Sequence, residues 1–204
     1  MRTRFIAGLL LVVCGWPELS FAADPRNSDW PCAQAKVPEV SLAAVWNGPP
    51  LDDVVDNWKN DEKVSALVAR LAARRTPLDD AKKTISEFLS GSAAEKTTKG
   101  KMLFAGLFDT LNAQRGSVIG GLERVTRKQR EAAEKVRSDT IALQALQDDP
   151  SHDQAKLDEL SNQLLWETRI FEDRHRVIKF VCDVPTAIDQ RLFALGREIQ
   201  QDME

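Results

Sequence analysis

The chain has 204 residues, 28 of them Lys or Arg and 31 Asp or Glu, for a formal charge of −3, and 43% are hydrophobic. That balance excludes wholesale disorder and a multi-span membrane protein. Three cysteines and two histidines are too few for a ribbon-type zinc site or a dense disulfide scaffold.

The N-terminus reads Met-Arg-Thr-Arg, then an apolar run from Phe5 to Val13, then Ser20-Phe-Ala22. A basic start, a short apolar run and a small-residue cleavage site predict a signal peptide over 1–22, with the mature chain beginning at Ala23. The run falls well short of the roughly 20 residues a membrane-spanning helix needs. Cys14 follows Val13 rather than a small residue, which argues against a lipoprotein.

Two cysteines then remain, Cys32 and Cys182. An even pair in an exported chain predicts one disulfide between them. The loop it closes is worth about 4–5 kcal/mol as an upper figure in the chain-entropy treatment. Two separate buried thiols are the competing arrangement. Neither cysteine sits in a Cys-x-x-Cys motif, so a redox-active pair is not expected.

Residues 23–51 read as an irregular arm, because Asp29-Trp30-Pro31-Cys32, Lys36-Val37-Pro38 and Asn47-Gly48-Pro49-Pro50 are dense in turn formers. A short helix fits Ser41–Trp46, with Ser41 as its cap. Trp30, Val37, Val40, Leu42 and Trp46 suggest an arm laid on an apolar surface.

A single helical domain is expected over 52–204. Asp52–Trp58 is a short candidate helix. Lys63–Arg75 carries Val64, Leu67, Val68 and Leu71 at helical spacing. Thr76 reads as the cap of a helix with Pro77 in its first turn, running to about Leu89 and stopping at Ser90-Gly91. The short connection predicts that these two helices form an antiparallel pair. Ser92-Ala-Ala-Glu95 is a capping box. Beyond it no proline occurs before Pro150. One long helix, or two broken near 116–121, is expected over Ala94–Gln147; Gly116, Gly120 and Gly121 would mark a kink or a close helix approach there, since glycine costs about 1 kcal/mol relative to alanine inside a helix.

The clearest periodicity starts at Val118. Steps of four and three select Val118, Leu122, Val125, Gln129, Ala132, Val136, Asp139, Leu143 and Leu146, a heptad seam with two polar breaks. After the turn at 147–153 a second seam selects Leu157, Leu160, Leu164, Glu167, Phe171, Arg174, Ile178 and Val181, its apolar face widened by Trp166, Ile170 and Val177. Two such arms predict an antiparallel hairpin over about 118–182, roughly 45 Å long at 1.5 Å per residue. A last helix follows over Pro185–Asp202, lined by Ile188, Leu192, Leu195 and Ile199. The expected fold is therefore all-α: a helical base, a long antiparallel coiled-coil-like hairpin and an irregular N-terminal arm. The competing architecture is a compact bundle in which the other helices cover both hairpin faces.

Catalytic patterns are fragmentary. Glu172-x-x-His175 has the spacing of one di-iron ligand pair, but the second pair that site requires is missing. Lys96–Lys101 approximates a phosphate loop but lacks its glycine spacing and its Ser/Thr. Acidic residues at Asp52, Asp53, Asp56, Asp61 and Glu62 lack the order of a calcium loop. No catalytic, cofactor-binding or metal site is assigned. Charge along the hairpin is uneven. Residues 122–137 carry Arg124, Arg127, Lys128, Arg130, Lys135 and Arg137 against three glutamates, and residues 139–159 carry six acids against Lys156. Arg124, Arg127, Lys128, Arg130 and Arg137 form the candidate interaction surface. They suit a partner's acidic face or a polyanionic envelope polymer, and the absence of aromatic interleaving argues against nucleic acid.

Asp29-Trp-Pro-Cys-Ala-Gln34, followed by Val37-Pro38 and Ala44-Val-Trp46, resembles the N-terminal signature of uncharacterised secreted proteins of Gram-negative bacteria. The resemblance covers about 20 residues and implies a periplasmic home, but no activity and no site residues. Together these readings lead to a non-enzymatic periplasmic interaction or scaffold protein, which acts on an envelope protein or associates with itself through its helices. The alternative is a helical module for an apolar small molecule or lipid, with Trp30, Trp46, Trp58 and Trp166 lining the pocket.

Overall fold

A computed structural model describes residues 29–204; the expected signal peptide and the first residues of the arm lie outside the described residues. All regular structure in the described residues is helical: α1 (Leu42–Val45), a 3-10 turn (Trp58–Asn60), α2 (Glu62–Ala72), α3 (Leu78–Phe88), α4 (Ala93–Asp148), α5 (Gln154–Val181) and α6 (Val184–Met203). The all-α expectation holds. Asp52–Trp58 departs from it locally, forming consecutive turns that lead into the 3-10 turn.

Local chemistry sets the helix ends. Asp61 Oδ1 accepts from the Lys63 and Val64 amides at 2.9 and 3.0 Å and so starts α2. Ser92 and Glu95 complete the capping box that starts α4. Gly91 turns the chain between α3 and α4 with φ of 130°, a conformation open to glycine at little cost. Thr76 does not cap α3. Its hydroxyl turns back to donate to the Arg70 carbonyl at 2.8 Å, and Pro77 holds the cap position.

The core lies in the base. Leu103, Phe104, Leu107 and Leu111 on the first half of α4 meet Val64, Val68 and Leu71 of α2 and Ile188, Leu192, Leu195 and Ile199 of α6. Each follows helical spacing, and each fully buried side chain of this size is worth about 1.5–3 kcal/mol. Helices α2 and α3 do not form the expected pair. Helix α2 packs on α4, and α3 packs on α6. Gly106 of α4 opens the slot that admits α2, since a Cβ there would stand 2.6 Å from Val68 Cγ2 and 2.8 Å from the Trp58 ring. Helix α3 is held to α6 by Ile85 and Ala81 in the core, by the Lys82–Glu198 ion pair at 3.2 Å, and by the Ser86–Asp202 hydrogen bond at 2.8 Å.

Helix α4 runs unbroken for 56 residues, about 84 Å. Of the two arrangements expected for this stretch it is the single helix, with Gly116, Gly120 and Gly121 inside it. Gly116 has open space where a side chain would stand, and only the Arg124 guanidinium comes near Gly120 and Gly121. The close approaches lie elsewhere, at Gly100, Gly106 and Gly196. The second half of α4 turns at 149–153 into α5, which returns along it as the second arm of the hairpin.

The arm is tied down by polar contacts as much as by apolar ones. Cys32 and Cys182 form the predicted disulfide, with Cα atoms 5.5 Å apart. Gln34 Nε2 donates to the Cys182 carbonyl, and Lys36 pairs with Glu123. Arg115, itself buried, donates from Nη1 to the Val37 and Pro38 carbonyls and from Nε to Asp189 at 2.7 Å. Further on, Val45 and Trp46 enter the core, where the Trp46 ring stacks on Phe104 at 4.1 Å. Val37 and Leu42, expected on the apolar side, stay largely exposed.

A candidate interaction surface on the hairpin

The two arms pack along each other, in a register that the heptads alone left open. Leu122 packs with Ile178 and Cys182, and Trp30, Cys32, Val118 and Val181 close around them. One step toward the tip, Gln129 Nε2 donates to the Phe171 carbonyl at 2.5 Å. Further out, Lys135 Nζ lies 2.6 Å from Asp139 and 2.8 Å from Glu167. Two of the four polar residues that interrupt the seams, Asp139 on α4 and Glu167 on α5, thus share one ammonium. That ammonium lowers the Asp139 carboxyl pKa below its ordinary value, and the two carboxylates, Asp139 first, raise that of Lys135.

Two seam positions miss. Val125 and Arg174 face solvent, and Thr126 turns inward in place of Val125. The residues expected to widen the α5 seam form a separate stripe. Trp166, Ile170, Val177 and Phe180 recur at heptad-like steps and remain exposed, Trp166 at 65% and Phe180 at 77%, with Leu165 beside them at 70%. The physical reason is simple: the hairpin has two helices, and no third one covers this side among the described residues. The steps of four, three, four and three through Asp173 carry the signal for a second face, which reads as a broadening of the first when only one partner helix is assumed.

Between the stripe and α4 runs an open groove of about 450 Å³. Val118, Leu122 and Val125 form one wall, and Val177, Ile178 and Val181 the other. Gly121 widens it by lacking a side chain. Thus glycines that no neighbouring helix approaches leave room at the surface of α4; Gly116 does the same in a broad cleft between the arm and α4 that also touches Trp46 and Phe108.

The basic residues singled out from the sequence are divided. Arg127 and Arg130 both bond Asp29 of the arm, the former at 2.8 Å. These guanidiniums, Arg127 first, depress the Asp29 pKa. Arg137 pairs with Glu134 at 2.6 Å within α4. Arg124 folds over Gly120 and Gly121, and Lys128 is exposed. All five are exposed, and two of them serve as anchors for the arm, a role that no local pattern in the sequence announces because Asp29 lies 98 residues from Arg127.

The four tryptophans also separate. Trp46 and Trp58 belong to the base core, Trp30 covers the disulfide region, and Trp166 stands out on α5. The acidic run near residue 52 disperses as well, with Asp53 on Lys101 at 2.5 Å and Asp61 capping α2. Glu172 and His175 lie exposed on α5. Among the described residues no three His, Cys, Asp or Glu side chains converge as metal ligands, and no helix is long and apolar enough to cross a membrane. No family model, curated protein or solved structure matches the chain.

Proposed function

We propose that the chain is a non-enzymatic interaction protein of the bacterial envelope, whose hairpin presents a helical face to a protein partner. The carrying observation is the exposed stripe Trp166, Ile170, Val177 and Phe180. A stripe of exposed large apolar side chains on one helical face, crossed here by Asp173, marks an association site. We read the hairpin seam as a short antiparallel coiled coil, supported by its heptad spacing and by the Gln129 and Lys135 cross-links. Export under the signal peptide of residues 1–22 is supported by the Cys32–Cys182 bond, because structural disulfides persist in oxidising compartments such as the periplasm.

The test is photo-crosslinking in intact cells, with a benzophenone amino acid at position 166 or 177 and a control at His175 on another face of α5. Adducts from 166 and 177 but not from 175 are expected. Silence at both stripe positions would remove the proposal.

A second reading has its own observation. The groove of about 450 Å³ beside Leu122 falls within the range of ligand pockets and has mainly valine, leucine and isoleucine walls. An apolar small molecule or lipid chain would fit that chemistry. Trp30 packs against the same cluster, so its fluorescence should move on titration with a fatty acid or quinone. A flat titration across a panel of such molecules would eliminate this reading.

A further inference from the structure

We infer that the partner on the α5 stripe is a second copy of the chain, laid antiparallel so that two hairpins close into a four-helix bundle. The inference rests on the reading of the hairpin as an interaction surface and names its occupant. Its main support is the lengthwise charge of the hairpin. The half nearer the base is basic on both arms: net +3 over 122–137 of α4 and net +2 over 168–181 of α5. The half nearer the tip is acidic, net −5 over 139–159. A rod charged in this way repels a parallel copy and attracts an antiparallel one twice, tip to base at each end. Complementary charge fixes register and suppresses the wrong orientation.

The side chains on the stripe fit the same geometry. A two-fold axis midway between Glu167 and Thr168 sets residues of α5 against their counterparts at equal distances on either side. Glu159, one heptad before Trp166 and on the same helical face, then meets Arg176 of the second copy. Leu165 meets Ile170, and Trp166 meets Arg169. Each contact occurs twice, as a two-fold interface requires. Leu165 and Trp166 thereby fall near the centre of the contact, where Trp166 covers the aliphatic stem of Arg169, and the Glu159–Arg176 pairs fall at its edges.

The size is adequate. Helix α5 has 28 residues, so two helices side by side present a face about 42 Å by 20 Å. That is about 800 Å² per partner, the share found in interfaces of ordinary size.

Two charge-reversed variants of the mature chain test the arrangement. One carries Asp158→Lys and Glu159→Lys near the tip, the other Arg169→Glu and Arg176→Glu nearer the base. All four residues are exposed, and circular dichroism checks that helix content is kept. Analytical ultracentrifugation should show a dimer for the unaltered chain, at least tenfold weaker self-association for each variant alone, and recovery in an equimolar mixture. Recovery follows because the reversed tip of one then faces the reversed base of the other. A monomeric unaltered chain at all concentrations, or dimers indifferent to both reversals, would overturn the inference. The wider reading stands or falls separately: photo-adducts from position 166 with a mass other than twice the chain keep the interaction surface and exclude the second copy.

Discussion

Asn112 of α4 grips Val40 of the arm by both backbone groups: its Oδ1 accepts from the Val40 amide and its Nδ2 donates to the Val40 carbonyl, each at 3.2 Å. One side chain thus supplies the donor and acceptor that a neighbouring strand would supply, and the arm needs no sheet to satisfy its backbone there. Asn112→Ala should cost about 1 kcal/mol. Hydrogen exchange should show the Val40 amide losing protection while amides in α6 keep theirs. Unchanged protection at Val40 would mean that the side-chain grip is incidental.

The disulfide should matter to a different degree. Joining residues 150 positions apart restricts the unfolded chain strongly, by up to about 5 kcal/mol. Replacing Cys32 and Cys182 by serine should therefore lower the urea midpoint by a large margin. Adding reductant to the unaltered chain should reproduce the shift. Equal midpoints with and without reductant would contradict the entropic account.

Two glycine substitutions should move stability in opposite directions. A Cβ on Gly196 would stand 2.7 Å from Phe104 Cε2 and 3.0 Å from the Val45 carbonyl, so Gly196→Ala should destabilise by about 1–3 kcal/mol. Gly116 has nothing within 4 Å of that position, and Gly116→Ala should gain about 1 kcal/mol of helix propensity. Thermal melts of the two variants compare them directly. A loss at Gly116 would show that the space above it is used.

Gln129 is buried in the hairpin with Oε1 lacking a partner. Gln129→Leu removes that unsatisfied oxygen, and the Phe171 carbonyl lies within a helix of its own, so about 1 kcal/mol of stabilisation is expected. The melting temperature should rise by about 2–4 °C. A fall would show that the amide secures the pairing of the arms through more than its one hydrogen bond.

Acid should loosen both the arm and the hairpin. The folded-state pKa values of Asp29 and Asp139 lie below their ordinary ones, held there chiefly by Arg127 and by Lys135. A depressed carboxylate contributes its stability above the unfolded-state value, near about 4, and loses it as pH falls through the folded one. Stability measured from neutral pH downward should hold to about that point and then decline. Asp29→Asn and Asp139→Asn should each flatten the decline. An identical acid profile in both variants would exclude these two pairs as its source.

Much of this fold could be read from periodicity. The hairpin arms, the disulfide, the capping box at Ser92 and the core face of α6 follow from spacing, composition or compartment, all of which act locally or through a small set of candidates. What escaped depends on distant packing. The close seat of α2 on α4 uses the missing side chain of Gly106, which leaves room for Val68 and Trp58. Thr76 had an alternative acceptor in the Arg70 carbonyl. Arg127 and Arg130 found Asp29 across almost a hundred residues. The exposed side of α5 was half legible: its residues stood out as apolar, but their spacing alone could not say how many helices would cover them.

Helix α4 is both the strut of the base core and one leg of the hairpin, with no joint between. From Phe104 to Asp148 it extends about 66 Å, so it behaves as a lever with its fulcrum in the core. Tilting the base by about five degrees would swing the far end by about 6 Å. A load at the tip would thereby reach Phe104 and the Trp46 ring stacked on it.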